Sequence, residues 1–573
     1  MLLSGCGSGT TSGLTATSSS PPSTGGTGGG SASSDTTPPV VAINSPTTAS
    51  SYSSTTASIN LGGTASDNVG VTQVTWANSL GGSGTTSSTG SWSINSIALK
   101  SGNNIVAVTA RDADGNTSTA AITISYNTAS TGGGGVTYYV ANNGNDANDG
   151  RSLSTPFQTI GHAKNVVNPG DTIELRSGTY TENNLLISRV GAPDAWITMR
   201  AYNNEQVTLR NTGAGPTLNF YHSLCTNIAA SADPTGNTDC QPLYWIVQGL
   251  TIQGSPNGGG DGFAVKIDTP RVKLIANKLC CTVADIVKLT RGANDVEILN
   301  NEIWQDSSIV TPSGNSQGID IVGADRTRIA YNYVHDINDY GMYSKGNARN
   351  TIFENNYLVN IGMHGIMLGQ ATGTQFMADG NYESYDGIAR NNVIVGTGWA
   401  CLATSSSFNV HIYNNSCYNT GNGGHGSILL SNESVVAGGW PGTNIEIKNN
   451  IIYSASNSPS IYISNYGGQE ALSDYTTLHI DRNIYYVSSG SPRFVWNGAT
   501  YTVAQWRTAY LSGTGHDDTS LVANPQYANT TMLSLNPSSP AINAGLATPY
   551  VTSDYLGTLR PQSGAADIGA YEY

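Results

Sequence analysis

Lysine, aspartate and tyrosine side chains occupy the polar positions of several short segments in which polar and apolar residues alternate. Alternate side chains of a strand point to opposite faces, so in each segment the polar residues face outward while Val, Ile, Leu and Met face inward. Strands that stack in register would gather these polar residues on one sheet, about 4.8 Å apart from strand to strand. The outward residues are Lys266, Lys288, Asp320, Tyr343 and Lys345.

This combination suits β-elimination of a uronate polymer. A lysine with a depressed pKa can remove the C5 proton, while calcium, arginine or another lysine neutralises the sugar carboxylate. Nearby loops offer further groups, among them His335, Asp336, Asp339, Glu383 and Asp386. The predicted site residues are Lys345, His364 and Arg390 for catalysis, Lys266, Lys288 and Tyr343 for substrate binding, and Asp320 for a calcium ion.

Other interpretations of these residues stay open. Lysines and aspartates on a solvated sheet normally provide only solubility and ladder pairing. A β-helix glycoside hydrolase would need three carboxylates on one face, and the sequence does not show them at adjacent coils. It also shows no Ser-His-Asp signature of an esterase.

A recurring asparagine phrase defines the elements that must position this site. The repeated residues are Asn277, Asn301, Asn332, Asn356, Asn392, Asn415 and Asn450. Successive positions differ by 24, 31, 24, 36, 23 and 35 residues, which fits a coil of 23 to 24 residues with insertions. Stacked asparagines can bond to their own turn and to the next coil, so the phrase predicts an all-β parallel β-helix.

Composition agrees with a β-rich, extended chain. The 573 residues exceed what one compact core supports, and only 11% are charged, whereas Gly numbers 68 and Tyr 30. The net charge of −14, with only 24 Lys and Arg, argues against nucleic acid as a partner. An acidic polysaccharide would be repelled overall, so its binding requires a local basic strip.

The N-terminal part is predicted to tether and space the β-helix. Residues 1–37 are interpreted as a truncated lipoprotein signal and disordered tether, in which Leu3 to Cys6 resembles a bacterial lipobox. Cys6 would then carry a lipid anchor on an exported protein, at the outer-membrane surface or extracellular; the alternative is a chance match. Residues 38–127 predict a β-sandwich, followed by a linker at 128–135. Pro38-Pro39-Val40 and the stretches 63–71 and 102–112 resemble bacterial Ig-like modules, which implies glycan adhesion or a spacer.

Residues 136–573 resemble secreted right-handed parallel β-helix proteins of the pectate-lyase-like superfamily. The resemblance rests on the asparagine phrases, a helical cap within 136–180 and a closing segment at 525–573, where Ser539 to Gly545 is the most similar part. It implies a polysaccharide substrate. One pectate-lyase group binds calcium through Asp-Asp-Gly-x-Asp, of which Ser316 to Asp320 keeps the last aspartate. Alginate and chondroitin lyases place an arginine one coil after the lysine, where Arg390 could substitute from a loop.

Six cysteines remain once Cys6 is set aside. Cys225 with Cys240 and Cys401 with Cys417 are the expected local disulfides, unless Cys401 stays reduced in the core. No Cys-x-x-Cys spacing supports structural zinc.

Two functions are predicted for this chain, which is expected to be monomeric. One is a polysaccharide lyase or related glycan-cleaving enzyme, and the other is a non-catalytic surface adhesin.

Overall fold

A computed structural model describes most of the chain. The described residues are 35–48, 51–54, 56–79, 81–86, 88–100, 102–126, 135–225, 240–256, 259–309, 315–373, 376–377, 382–432, 442–455, 458–464, 477–496, 498–511, 517–562 and 564–573. The predicted anchor Cys6, nearly all of the predicted tether and most of the linker lie outside them. Among the described residues no helix combines the length and the apolar character needed to span a membrane.

The predicted sandwich consists of two sheets around their own apolar core. One sheet is antiparallel and contains Val40–Ser45, Ser58–Ser66 and Ser91–Ala98. The other contains Ser51–Ser54, Val71–Asn78, Ser83–Thr85, Gly102–Asp112 and Thr117–Tyr126. Their inward residues, including Val74, Trp92 and Val108, form a core separate from that of the following solenoid.

The rest of the described chain is a right-handed parallel β-helix with three strands in each coil. Sheet 1, the first met in each coil, comprises Thr137–Val140, Thr172–Leu175, Ile197–Ala201, Trp245–Gln248, Val272–Ile275, Glu297–Leu299, Arg328–Ala330, Ala348–Arg349, Ile352–Glu354, Ser384–Tyr385, Ile388–Arg390, Ser407–Tyr413, Thr443–Lys448 and Leu478–Asp481. Sheet 2 comprises Gly178–Thr181, Val207–Arg210, Thr251–Gln253, Lys278–Cys280, Glu302–Trp304, Tyr333–Ile337, Tyr357–Ile361, Val393–Thr397, Ser416–Thr420, Ile451–Ser454, Ile484–Val487 and Leu521–Val522.

Sheet 3 carries the predicted site. It comprises Leu185–Ile187, Leu218–Phe220, Val265–Ile267, Val287–Leu289, Ile319–Val322, Met342–Lys345, Ile366–Leu368, Leu402–Ser405, Ile428–Ser431, Ile461–Ser464, Arg493–Trp496 and Ala499–Thr502, the last pairing antiparallel. Alternate residues of all three sheets, such as Val265, Leu274 and Ile303, point inward and are fully buried in one continuous core.

Short helices are few among the described residues. The predicted amphipathic run near the start of the solenoid forms the helix Ile160–Val166, in which Thr159 caps the N-terminus and Ile160 and Ala163 are buried. Near the other end lies the helix Val503–Leu511. The 3-10 turns are Tyr202–Asn204, Ser223–Cys225 and Gly259–Asp261.

The asparagine phrase forms the predicted ladder. From Asn277 to Asn450, each repeated side-chain amide donates to the Oδ1 atom of the next asparagine, at 2.9 to 3.1 Å, and the series ends on Asn483. The same amides also donate to backbone carbonyls; that of Asn301, for example, bonds to Leu274 and Leu299. The prediction that these side chains bond to their own turn and to the next coil is confirmed.

The disulfides agree with the expected local pairs. Cys225 bonds to Cys240 and Cys401 bonds to Cys417, so the reduced alternative for Cys401 is wrong. Cys280 and Cys281, which are neighbours in the chain, form a further disulfide that the spacing argument did not pair.

Candidate functional site

The outward residues of sheet 3 gather as the alternation predicts. Lys266, Lys288, Asp320 and Tyr343 pair in register on consecutive coils. Lys345 lies on the same face but pairs with Val322, two residues farther along the strand. Asp320 thus lies one coil below Lys345, in the register of Tyr343.

Lys288 holds together a buried group of charges. Its ammonium contacts the Asp320 carboxylate closely and lies 3.2 Å from Asp285. Burial lowers the pKa of Lys288, but the two carboxylates outweigh it and the net shift is upward. Burial and the charge of Asp320 raise the pKa of Asp285. The carboxyl groups of Asp285 and Asp320 share one cation, the ammonium of Lys288. Much of the charge of Lys288 is thus already matched before any substrate binds.

Tyr343 is buried rather than open to solvent. Its side chain is 1% exposed, and it lies in register beside Asp320. Burial and the neighbouring carboxylates raise the pKa of Tyr343 well above its ordinary value. Its ring lies 4.7 Å from the ammonium of Lys345, so it acts on a substrate only through its neighbours. Its predicted role of binding substrate by direct contact does not agree with this burial.

Lys345 keeps a largely available charge. Its ammonium donates to Oε1 of Gln370 at 3.2 Å, and the amide of Gln370 donates to the hydroxyl of Tyr340 at 3.1 Å. Within the described part of the chain no carboxylate lies at ion-pair distance from Lys345. It is therefore placed to meet an anionic ligand.

A protonatable carboxyl group lies close to Lys345. Burial raises the pKa of Asp339 to about 6, although Gln317 and Lys345 lower it. The Gln317 amide donates to Oδ2 of Asp339, while Oδ1 of Asp339 and Oδ1 of Asp320 are buried without a hydrogen-bond partner. Asp285, Asp320 and Asp339 thus follow one another along consecutive coils, and the expectation that three carboxylates are absent from adjacent coils is wrong.

A cavity of about 350 Å³ opens beside this group. It is lined by three cationic side chains, those of Lys288, Arg291 and Lys345. Phe376, which is 54% exposed, lies at its rim. The Arg291 guanidinium donates to the backbone oxygen of Phe376 at 3.0 Å, which fixes it beside the cavity. In a chain of net charge −14, this is the local basic strip that binding of an acidic polymer requires.

Glu383 fixes the wall of the cavity. Its carboxylate is fully buried and accepts the backbone N–H of Gly346 at 3.0 Å and that of Thr372 at 2.9 Å. It thereby ties the turn after Lys345 to the segment that lines the cavity. Burial raises the pKa of Glu383 to about 7, although these hydrogen bonds and Lys345 lower it.

His364 makes its contacts with Tyr340, Trp399 and Ala400 rather than with Lys345. Its ring packs against Tyr340 and Trp399, and its Nδ1 accepts the N–H of Ala400 at 3.1 Å. Burial and the neighbouring His425 lower the pKa of His364 to about 3, so the ring is neutral at physiological pH. The contacts of His364 are therefore with residues other than Lys345, and its catalytic role stays a prediction.

Arg390 and Lys266 are also engaged elsewhere. Arg390 belongs to sheet 1, where it bonds to Glu354 at 2.5 Å, so it cannot serve as the arginine one coil after Lys345. Lys266 pairs with Asp268 at 3.2 Å, one coil before Lys288. His335 and Asp336 lie on sheet 2 rather than beside the sheet 3 site.

The residues around Asp320 do not fit calcium. One carboxylate oxygen of Asp320 contacts the Lys288 ammonium, and its neighbours in register are Lys288 and Tyr343. Among the described residues, a cluster of three possible metal ligands occurs only at Asp35, Asp67 and Asp112 in the sandwich.

Sequence reasoning missed several members of this site, three of which lie close to a predicted outward lysine or aspartate. Asp285 and Arg291 flank the Val287–Leu289 strand, three residues on either side of Lys288, and Gln317 precedes the Ile319–Val322 strand. All three lie just beyond the strands, where the alternation of residues no longer predicts the face to which a side chain points. Their proximity to a predicted outward lysine or aspartate was the available signal.

Comparisons with known proteins give limited support. No family model matches the chain. It is 26% identical over 244 residues to the uncharacterized protein YwoF of Bacillus subtilis, covering 36% of this chain and about half of that relative, 47%.

Similar solved structures include the pectate lyase Pel9A, with 16% identity, a TM-score of 0.47 and coverage of 77% of this chain and 98% of that one. XylC in complex with xylose has 13% identity, a TM-score of 0.44 and coverage of 76% and 98%. A family 28 exopolygalacturonase of Yersinia enterocolitica has 12% identity, a TM-score of 0.36 and coverage of 77% and 96%. The β-helix assignment rests on the three parallel sheets of this chain, not on these similarities.

Proposed function

We propose that this protein acts on polysaccharides and cleaves an acidic polymer by β-elimination in the sheet 3 cavity. The observation that carries the proposal is the convergence of Lys288, Arg291 and Lys345 on one cavity in an otherwise acidic chain. Basic side chains concentrated in a cleft attract an anionic substrate despite the overall charge. The exposed ring of Phe376 supplies an apolar surface for a sugar ring.

The proposed reaction assigns one step to each group. Arg291 neutralises the uronate carboxylate, which makes the C5 proton more acidic. Lys345 in its neutral amine form takes that proton, the electron pair of the C5–H bond forms the C4–C5 double bond, and the C4–O4 bond breaks with its electron pair leaving on O4. The leaving O4 takes a proton from water. Gln370 and Tyr343 orient the Lys345 amine, and no step uses calcium.

A glycoside hydrolase is the second candidate. The raised pKa of Asp339, about 6, is typical of a general acid, and Asp320 and Asp285 lie on neighbouring coils. Asp285 and Asp320 are, however, nearly fully buried and share Lys288, so neither is free to activate water. This favours the lyase.

One experiment separates these reactions from an adhesin. The protein is incubated with pectate, alginate and glycosaminoglycans, and the ultraviolet absorbance of unsaturated products is followed together with new reducing ends. A lyase increases both. New reducing ends without absorbance would support the hydrolase instead, and binding without either product would support the adhesin.

We further propose that the protein is exported and anchored through Cys6. Three disulfides among the described residues support an oxidising compartment. Incorporation of a labelled fatty acid into the wild-type protein, and its loss in Cys6→Ala, is the expected result. An unlabelled wild-type protein would contradict the anchor.

A further inference from the structure

A second cleft lies on sheet 2, away from the Lys345 cavity. Its volume is about 650 Å³, within the range of about 300 to 1,000 Å³ typical of ligand sites. It opens where the strands Glu302–Trp304 and Tyr333–Ile337 run into their following loops. The residues that matter here are Trp304, Asp306, His335, Asp336, Asn338 and Asn360.

Stacked rings hold the aromatic part of this cleft in place. Trp304 and His335 are parallel to within 2°, with ring centroids 5.8 Å apart, and His335 stacks on Tyr333 at 4.2 Å. Tyr333 stacks in turn on Tyr357 at 5.3 Å. Trp304 ends this row, because Cys280 occupies the same register on the preceding coil. The indole is therefore a rigid, half-buried surface at one end of a stack.

The polar groups of the cleft are equally fixed. The Asp336 carboxylate bonds to Nδ1 of His335 at 2.7 Å and accepts the Asn360 amide at 2.6 Å. Asp306 accepts the N–H of Ser308 at 3.0 Å, which orients its carboxylate beside Trp304. Among the described lining residues there are two carboxylates and no lysine or arginine. This charge pattern is opposite to that of the Lys345 cavity.

We propose that the sheet 2 cleft binds a neutral glycan chain. The indole of Trp304 would pack against the C–H face of a sugar ring, and carboxylate and amide oxygens accept hydroxyl protons. A uronate would meet two carboxylates without a compensating cation, so an acidic chain is disfavoured there. The protein would then hold a neutral polymer at sheet 2 while it acts on another at sheet 3.

Calorimetric titration of the full chain with cello-, xylo- and manno-oligosaccharides tests this site, and it does not depend on cleavage. At least one of these chains is expected to bind, and Trp304→Ala should weaken that binding about tenfold, the loss of one aromatic contact. Trp304→Phe, which keeps a ring, should lose less. Tyr453→Ala is the matched control, since Tyr453 is a half-buried ring of sheet 2 that packs against Tyr418 and Tyr486 and does not line the cleft.

The outcomes are distinct from those of the cleavage assay. Failure of all three neutral chains to bind, unchanged binding in Trp304→Ala, or an equal loss in Tyr453→Ala would overturn the proposal. So would an acidic oligosaccharide that displaces the neutral one from the cleft. A protein that binds neutral chains through Trp304 but cleaves nothing would retain this inference and lose the lyase.

Discussion

The chemistry proposed for sheet 3 depends on one amine. Lys345→Ala should abolish cleavage, because Lys288, the other described lysine that lines the cavity, is held as an ammonium by Asp285 and Asp320 and cannot act as the base. Thermal stability should change little, since the Lys345 side chain is partly exposed and its contacts with Gln370 and Tyr343 are few. Lys345→Arg keeps the charge but not the base, so it should bind the polymer and fail to cut it.

The measurements are product absorbance, polymer binding and thermal unfolding. Lys278→Ala is the control, because Lys278 is an exposed lysine of sheet 2 that pairs with Glu302. Cleavage at the parental rate by both Lys345 variants would remove the assignment.

Glu383 makes the stability of the site depend on pH. Its pKa is raised from 4.5 to about 7 by burial, so the folded state binds its proton more tightly than the unfolded state does. The contribution of Glu383 to the free energy of unfolding, on the order of 3 kcal/mol, is therefore fully present below about pH 4.5 and is lost as the pH rises through 7. Urea unfolding across this range should show that Glu383→Gln, which does not titrate, declines less steeply than wild type.

An isosteric change at Glu383 should also affect catalysis. The glutamine side chain has only one acceptor oxygen for the N–H groups of Gly346 and Thr372, so the wall beside Lys345 loosens. Equal pH slopes for wild type and Glu383→Gln would show that Glu383 does not carry this titration.

Single residues could be predicted only where a periodic element defines their direction. Strand alternation determines the face to which a side chain points, and coil stacking determines its neighbours on the adjacent coils. Both were therefore predictable for the residues that share one register, Lys266, Lys288, Asp320 and Tyr343. His364 and Arg390 both lie in the 36-residue step from Asn356 to Asn392, which contains a long insertion. The step length alone does not reveal to which sheet each of these residues belongs. The burial of Tyr343 could not be predicted from its own strand either, since it depends on side chains from other coils.

At the scale of the element, the asparagine ladder connects the coils. Asn356 is fully buried; it accepts from the backbone and the side chain of Asn332, and donates to Ile329 and Asn392. Asn356→Ala removes the acceptor of the Asn332 backbone N–H and the donor to the carbonyl of Ile329, which should lower the free energy of unfolding by about 3 kcal/mol or more.

Chemical denaturation measures this loss. Asn165→Ala is the matched control, since Asn165 is exposed on the helix Ile160–Val166 and its removal should change stability by less than about 0.5 kcal/mol. Equal effects of the two substitutions would mean that the ladder contributes nothing specific.

The repeat predicted the ladder and the coil length, but not every element between the phrases. A 23- or 24-residue coil accommodates three short strands, and the sequence displays the pattern of each weakly because two or three inward residues suffice for a strand such as Val287–Leu289. The Cys280–Cys281 bond could not be derived from loop-closing arguments, which consider cysteines separated by a loop.

For the whole molecule, a chain of net charge −14 carries the basic cavity of sheet 3, so salt should act in two opposite ways. At about 0.01 M salt the screening length is about 30 Å, and the net charge of −14 repels an acidic polymer. Added salt first screens this long-range repulsion, and KM should fall. Near about 1 M salt the screening length is about 3 Å, and contacts with Arg291 and Lys345 weaken.

Steady-state kinetics on an acidic oligomer should therefore give a minimum of KM at intermediate salt. Arg291→Gln should raise that minimum and flatten the high-salt rise, because one short-range attraction is removed while the long-range repulsion remains. A KM that rises from the lowest salt concentration onward would show that local attraction exceeds the overall field everywhere. A KM independent of salt would mean that the cavity does not bind its substrate through charge.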